Sequence, residues 1–120
     1  MADHNEVGKQ GEAVAVKFLT KKGYDIITQN WRFQKAEIDI ITKYKGQIVI
    51  VEVKTRTSLE FENPKEAVTV AKQKRIVKAA DAYIQEQNID LECRFDIVSV
   101  LIQGSKVDVE HIEDAFSPML

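Results

Sequence analysis

Residues 36–56 read Ala36-Glu37-Ile38-Asp39-Ile40-Ile41-Thr42-Lys43-Tyr44-Lys45-Gly46-Gln47-Ile48-Val49-Ile50-Val51-Glu52-Val53-Lys54-Thr55-Arg56. Two β-branched runs flank Lys45-Gly46, which is the signature of a hairpin. Alternation in the first run places Glu37, Asp39 and Ile41 on one face and Ile38 and Ile40 on the other. In the second run Val49, Val51 and Val53 oppose Ile50, Glu52, Lys54 and Arg56. From Ile48 to Val53 both faces are apolar until Glu52, the pattern of a central strand covered on both sides. A carboxylate and an ammonium at the end of such a strand are costly to bury without partners.

An isolated Glu-x-Lys is ordinarily a solvated ion pair. Asp39 on the neighbouring strand gives this one a second meaning. On a common face, Asp39 and Glu52 can share a divalent cation. Magnesium is held by one or two carboxylates, with waters and substrate phosphate oxygens completing its shell. Such an ion polarises a phosphodiester and acidifies water. Lys54 points the same way as Glu52 and can orient that water or offset charge growing on the phosphate.

The 120 residues suit one domain with a real core, residues 1–120. Their 44% hydrophobic and 30% charged content is that of a soluble globular chain. No apolar run spans a bilayer and the N-terminus is no signal peptide, so no membrane role is expected. The single Cys93 makes no internal disulfide and fits a small core residue in a reducing, cytoplasmic setting. One cysteine and two scattered histidines, His4 and His111, argue against zinc. Residues 1–80 hold 15 Lys/Arg against 10 Asp/Glu, and residues 81–120 hold 2 against 9. A basic first two-thirds could meet phosphates; without a fold to place the charges, accidental asymmetry weighs equally.

Residues 5–22 form an amphipathic pattern with Asn5 as a candidate N-cap and Glu12, Ala15, Val16 and Leu19 on one stripe. Gly8 and Gly11 each cost roughly 1 kcal/mol against Ala in a helix, unless something approaches closely. Glu12, heading an apolar stripe, is either solvated or aimed at Asp39 and Glu52. Lys21, Lys22 and Gly23 close the helix. Tyr24 to Phe33 is a strand, with Trp31 better read as a core or edge aromatic than as a base-stacking platform.

Thr57 to Asn63 is a loop, a connector before it is a flap. Asn63-Pro64-Lys65-Glu66 is a helix start, and Thr69 can interrupt it and cap a second segment. Val70–Gln87 is helical, with Gln73, Ile76, Val77, Ala80 and Ile84 on a stripe. Lys72, Lys74, Arg75 and Lys78 decorate its first turns, either solvated or suited to a phosphate backbone. Glu92–Ile102 is a strand in which Asp96 is read as an edge or turn-facing carboxylate. Gln103–Lys106 turns it into Val107–His111, and the tail 113–120 has no clear period. The order is α-β-β-β-α-β-β, a mixed sheet with helices.

Gly11-Glu12, Asn30-Trp31-Arg32, Glu37-Ile38-Asp39, Val51-Glu52-Val53-Lys54-Thr55-Arg56, Lys72-Gln73-Lys74-Arg75, Arg94-Phe95-Asp96 and His111-Ile112-Glu113 together resemble the YraN family of small bacterial proteins. That family is placed in the PD-(D/E)xK nuclease-like superfamily, similar to archaeal Holliday-junction resolvases. The resemblance covers nearly the whole chain in order. It implies an α/β, restriction-endonuclease-like α-β-β-β-α-β core and Mg²⁺- or Mn²⁺-dependent DNA hydrolysis. Asp39 and Glu52 would be metal ligands, Lys54 the catalytic lysine, Glu12 an accessory acid and Gln73 a helix residue near the site. Ala36 stands where the family usually has Gly, and its methyl would crowd an incoming strand.

The reading expected from the sequence is therefore a metal-dependent nuclease acting on DNA, with branched or damaged DNA as the candidate substrates. Arg56, Lys72, Lys74 and Arg75 would contact phosphates, and the resolvase likeness suggests a homodimer. Two alternatives stand beside it: a non-catalytic nucleic-acid-binding protein on the same fold, and a protein-interaction module.

Overall fold

Lys45 and Gly46 both have positive φ, 49° and 78°, the backbone of a tight primed turn. They join β2 (Ala36–Tyr44) to β3 (Gln47–Arg56). The computed structural model describes residues 4–58 and 67–118. Before the hairpin come α1 (His4–Lys21) and β1 (Asp25–Phe33). After it come α2 (Val70–Glu86), β4 (Glu92–Gln103) and β5 (Lys106–Phe116). The strands form one sheet in the order β1-β2-β3-β4-β5. Only β3 and β4 run parallel, because α2 lies between them in the chain and provides the crossover. The fold is mixed α/β, as expected.

A helix lies on each side of the sheet. Ala15 and Leu19 of α1 pack on Ile40, Val49, Val51, Val98 and Val100. Ile76, Ala79, Ala80 and Tyr83 of α2 pack on Ile38, Ile48, Ile50, Phe95 and Ile97. β3 thus alternates between two cores, as its unbroken apolar run predicts. α1 ends in a Schellman-type closure: Tyr24 N–H donates to Leu19 O at 3.0 Å, with Gly23 at φ 93°. The helix already includes His4, one residue ahead of the expected cap Asn5. Thr69 caps α2, its Oγ1 accepting from Lys72 N–H at 3.2 Å. The expected start at Asn63–Glu66 and most of the preceding loop lie outside the described residues.

Three expectations need correction. β2 does not alternate strictly: Ile38 and Ile41 join the α2-side core while Ile40 joins the α1 side. The β2–β3 ladder stops at Ile40↔Val51, and beyond it the Asp39 carboxylate itself accepts the Val53 N–H at 2.8 Å. A side chain has replaced a ladder bond, so the two strands part at the level of the acids. Second, the last strand does not stop at His111 but runs to Phe116, where Ala115 and Phe116 are buried and Phe116 stacks on Phe95. Third, Asp96 is no edge carboxylate; it is fully buried.

Asp96 sits on the α1 side, opposite a bulge in β5. Arg94 Nε and Nη2 donate to it at 2.9 and 2.8 Å, Asp114 N–H at 3.0 Å, and His111 Nε2 lies 2.7 Å away. Lys22 Nζ is 2.8 Å from His111 Nδ1 and has only hydrogens to give, so Nδ1 accepts and Nε2 carries the proton to Asp96. Burial alone would push the Asp96 carboxyl up, but His111, Arg94 and the Asp114 N–H together hold it below its ordinary value. This carboxylate fastens β5 to β4.

Trp31 packs edge-on to Tyr83 and stacks on Phe33, an aromatic of the core margin. Burial pushes the Cys93 thiol up to about 12, the condition of an inert core thiol. No helix among the described residues is long and apolar enough to cross a membrane.

Candidate functional site

Where β2 leaves β3, a groove of about 330 Å³ opens between them and the start of α2, lined by Lys35, Ala36, Glu37, Asp39, Glu52, Lys72, Arg75 and Ile76. A second hollow of about 240 Å³ adjoins it, lined by Gly8, Glu12, Asp39, Val53, Lys54, Thr55 and Lys72 among others. Asp39 and Lys72 belong to both, so the two hollows meet at the acids.

The expected residues therefore reach this corner from three elements. α1 brings Glu12, the parted ends of β2 and β3 bring Asp39, Glu52 and Lys54, and the first turn of α2 brings Lys72. Gly11 lets α1 approach: a Cβ there would overlap Thr55 Oγ1 and come within 2.7 Å of Thr55 Cβ. Gly8 has nothing within 4 Å of such a Cβ and instead leaves the hollow open.

Glu52 is the buried member, with a side chain only 6% exposed. Its Oε2 has no donor among the described residues. The Asp39 carboxyl lies in hydrogen-bonding contact with it, so the two acids can be joined only by a proton or a cation between them. Burial pushes the Glu52 carboxyl well above the ordinary carboxylate range. The contact with Asp39 and its negative charge push the same way, while Lys72 opposes them. Lys72 Nζ is 3.7 Å from Glu52 Oε1, beyond hydrogen-bond length. Burial, followed by the charges of Asp39 and Glu37, also raises the Glu12 carboxyl.

Among the described residues, no three of His, Cys, Asp and Glu form a ready-made metal cluster. What converges is a pair of carboxylates, Asp39 and Glu52, with Glu12 and Glu37 further out. Two hard oxygen donors, one of them buried and lacking a donor, fit an ion such as Mg²⁺ that keeps most of its waters.

The basic residues divide. Lys72 and Arg75 share a helix face and line the groove. Lys74 lies round the helix and lines a hollow between α2 and β4 with Val77, Ile84, Cys93 and Phe95. Arg56 reaches back to β4, where Nη2 donates to Ser99 Oγ at 3.4 Å. Gln73 is half-buried and its amide donates to Val68 O at 2.9 Å, just ahead of the cap of α2. Ala36 does stand in the groove wall. Sequence reasoning gave no role to Glu37 or Asn30, yet both belong to this corner. The end of the Asn30 amide faces both: with its NH₂ group turned to the acids, the orientation that satisfies both of its ends, it donates to Glu12 Oε1 at 2.8 Å and to Glu37 Oε1 at 2.9 Å. The signal that could have found Asn30 is a turn-favouring residue in the middle of a strand pattern.

The chain is similar to proteins of matching length. It is 51% identical over 116 residues to a UPF0102 protein of Flavobacterium psychrophilum, covering 97% of this chain and 98% of that one. It is 47% identical over 120 residues to one of Bacteroides thetaiotaomicron, covering 100% and 99%. It is 44% identical over 118 residues to one of Phocaeicola vulgatus, covering 98% of each. A family model described as uncharacterised protein family UPF0102 matches residues 11–100. On the span of that match and the near-complete alignment of these relatives, the chain belongs to the uncharacterised protein family UPF0102.

Proposed function

We propose that this chain is a divalent-cation-dependent nuclease of the PD-(D/E)xK kind, hydrolysing DNA phosphodiesters in the groove between β2, β3 and α2. One observation carries the reading: Glu52, 6% exposed, abuts Asp39 at a strand parting and has an oxygen without a donor. A carboxylate buried against a second carboxylate is costly unless a positive charge, a proton or a cation, is supplied. Asp39 and Glu52 would hold the ion, Mg²⁺ or Mn²⁺, which when bound polarises the phosphate and acidifies water.

The chain's own residues supply the rest. Asp39 is fixed by the Val53 N–H, so its carboxylate is aimed before any ion arrives. Lys54, beside Asp39, is placed to stabilise charge on a phosphate or to orient water. Lys72 and Arg75 line the groove as phosphate partners, with Lys74 further round the same helix. Arg56 and Gln73 serve as supports, through β4 and the cap of α2.

A panel of labelled single-stranded, duplex, flapped and branched DNAs, with Mg²⁺ or Mn²⁺, tests this. Cleavage is expected with the metal and is lost by at least about 10²-fold in D39A and K54A, the scale of removing one transition-state group. Salt-sensitive binding with no cleavage at any metal concentration would replace the enzyme with a DNA-binding protein.

A further inference from the structure

Asn30 has φ 52°, the left-handed region, in the middle of β1. Asparagine tolerates that backbone better than most side chains. Its neighbours pair as Gln29↔Ile40 and Trp31↔Ile38, so Asn30 lies at the level of Asp39. The two strands are thus distorted at one level. On β2 the distortion sends Asp39 to the Val53 N–H. On β1 it sends the Asn30 side chain to two acids from other elements.

One end of the Asn30 amide faces both acids, 2.8 Å from Glu12 Oε1 and 2.9 Å from Glu37 Oε1 when that end is the NH₂ group. An amide oxygen in that place would face carboxylate oxygens alone, so the NH₂ group must occupy it and use both hydrogens. Glu37 Oε2 is held in turn by Arg32 Nη2 at 2.9 Å. Glu12 and Glu37 flank Asp39, and like charges at this spacing repel unless a donor lies between them. Arg32 is a second, exposed tether of Glu37, whereas Asn30 also reaches Glu12 of α1.

We propose that Asn30 is a positioning residue for the acidic site: its amide bridges Glu12 of α1 and Glu37 of β2 and keeps both turned toward Asp39. This rests on the reading of Asp39 and Glu52 as a cation site. It assigns Glu37 to the site as an outer carboxylate and ties the placing of the acids to the docking of α1.

Manganese binding by the full chain, read from loss of the free-ion electron paramagnetic resonance signal, tests the assignment without any nucleic acid. N30G keeps the left-handed backbone and removes the bridge. It is expected to weaken Mn²⁺ binding about 10-fold, the lower end for removing an outer-shell partner. In an E12Q/E37Q background the same N30G change is expected to alter affinity less than about twofold, because the bridge has nothing charged left to hold. Unchanged Mn²⁺ affinity in N30G overturns the assignment, as does an equal loss in both backgrounds. Failure of the underlying reading shows differently: wild type and D39A would bind Mn²⁺ alike, and both proposals would fall. Should N30G not fold, the ¹⁵N–¹H pair of the wild-type Asn30 amide carries the test. It shifts in E12Q and in E37Q if the bridge exists, and stays put if it does not.

Discussion

Glu52 and Asp96 are both buried carboxylates on adjacent strands, and their surroundings could hardly differ more. Asp96 accepts from a guanidinium, a backbone N–H and an imidazole. Glu52 meets another acid and a lysine at 3.7 Å. The consequence for Glu52 has a definite sign. Its carboxyl in the fold titrates well above the ordinary 4.5, so the folded chain keeps a proton that the unfolded chain has lost. Without metal, stability should therefore fall as pH rises above about 4.5, through the window up to the raised value. E52Q removes that dependence. At pH 8 without metal it is expected to be more stable than wild type by about 1–3 kcal/mol, the cost of a poorly satisfied buried polar group. Thermal unfolding followed by circular dichroism at pH 5 and pH 8 checks this. A lower midpoint for E52Q at pH 8 would show that Lys72 already balances the carboxylate. The hairpin turn makes Asp39 legible as a neighbour of Glu52, but the approach of Lys72 from α2 is not, and the partners of Asp96 on β5, His111 and Asp114, lie far along the chain.

At the scale of elements, the site depends on how closely α1 settles on β3. Gly11 decides that distance, because any Cβ there overlaps Thr55. G11A is expected to cost about 1–3 kcal/mol by overpacking, net of the improved helix propensity of alanine. It should also move Glu12 outward, so manganese affinity should drop along with the unfolding midpoint. T55A in the G11A chain should recover part of both, since Thr55 Oγ1 goes but its Cβ, at 2.7 Å, remains. An equally stable G11A would show that α1 can shift without loss. The sequence marks Gly8 and Gly11 alike as helix penalties. Only their surroundings separate a glycine needed for docking from one that faces open space. The parting of β2 from β3 was likewise hidden. Period-two alternation reads Ile38 and Ile40 as one face, and the break between them arises from Asp39 capturing a backbone donor of β3.

Across the whole molecule, the two buried carboxylates are kept apart by the sheet. Asp96 lies on the α1 side and fastens the last strand, while Glu52 faces the α2 side. D96A leaves Arg94 without its main partner and should cost about 3–5 kcal/mol, as breaking a buried pair does. E52Q should move stability the other way, and the pair of variants in one denaturant series separates the two kinds of acid. If D96A unfolded at the wild-type denaturant concentration, the network would be ornamental to stability. The acidic end of the chain also finds a place: Asp108, Glu110, Glu113 and Asp114 lie on β5, two strands from β3 and the groove. Charges along such an outer strand also discourage edge-to-edge pairing with another sheet.

Strand periods, the Lys45-Gly46 turn, the Gly23 closure and the Thr69 cap are contests between near neighbours, so the sequence by itself determined the elements, their order and the α/β class. It also determined that Asp39, Glu52 and Lys54 lie on two adjacent strands, since one tight turn fixes their register. Glu12, Asn30, Glu37 and Lys72 joined them only in the tertiary structure, and only there did Asp96 become a fastener of the fold. Their meeting depends on how helices dock and where strands part, and those outcomes are set by packing and hydrogen bonds between residues far apart in the chain.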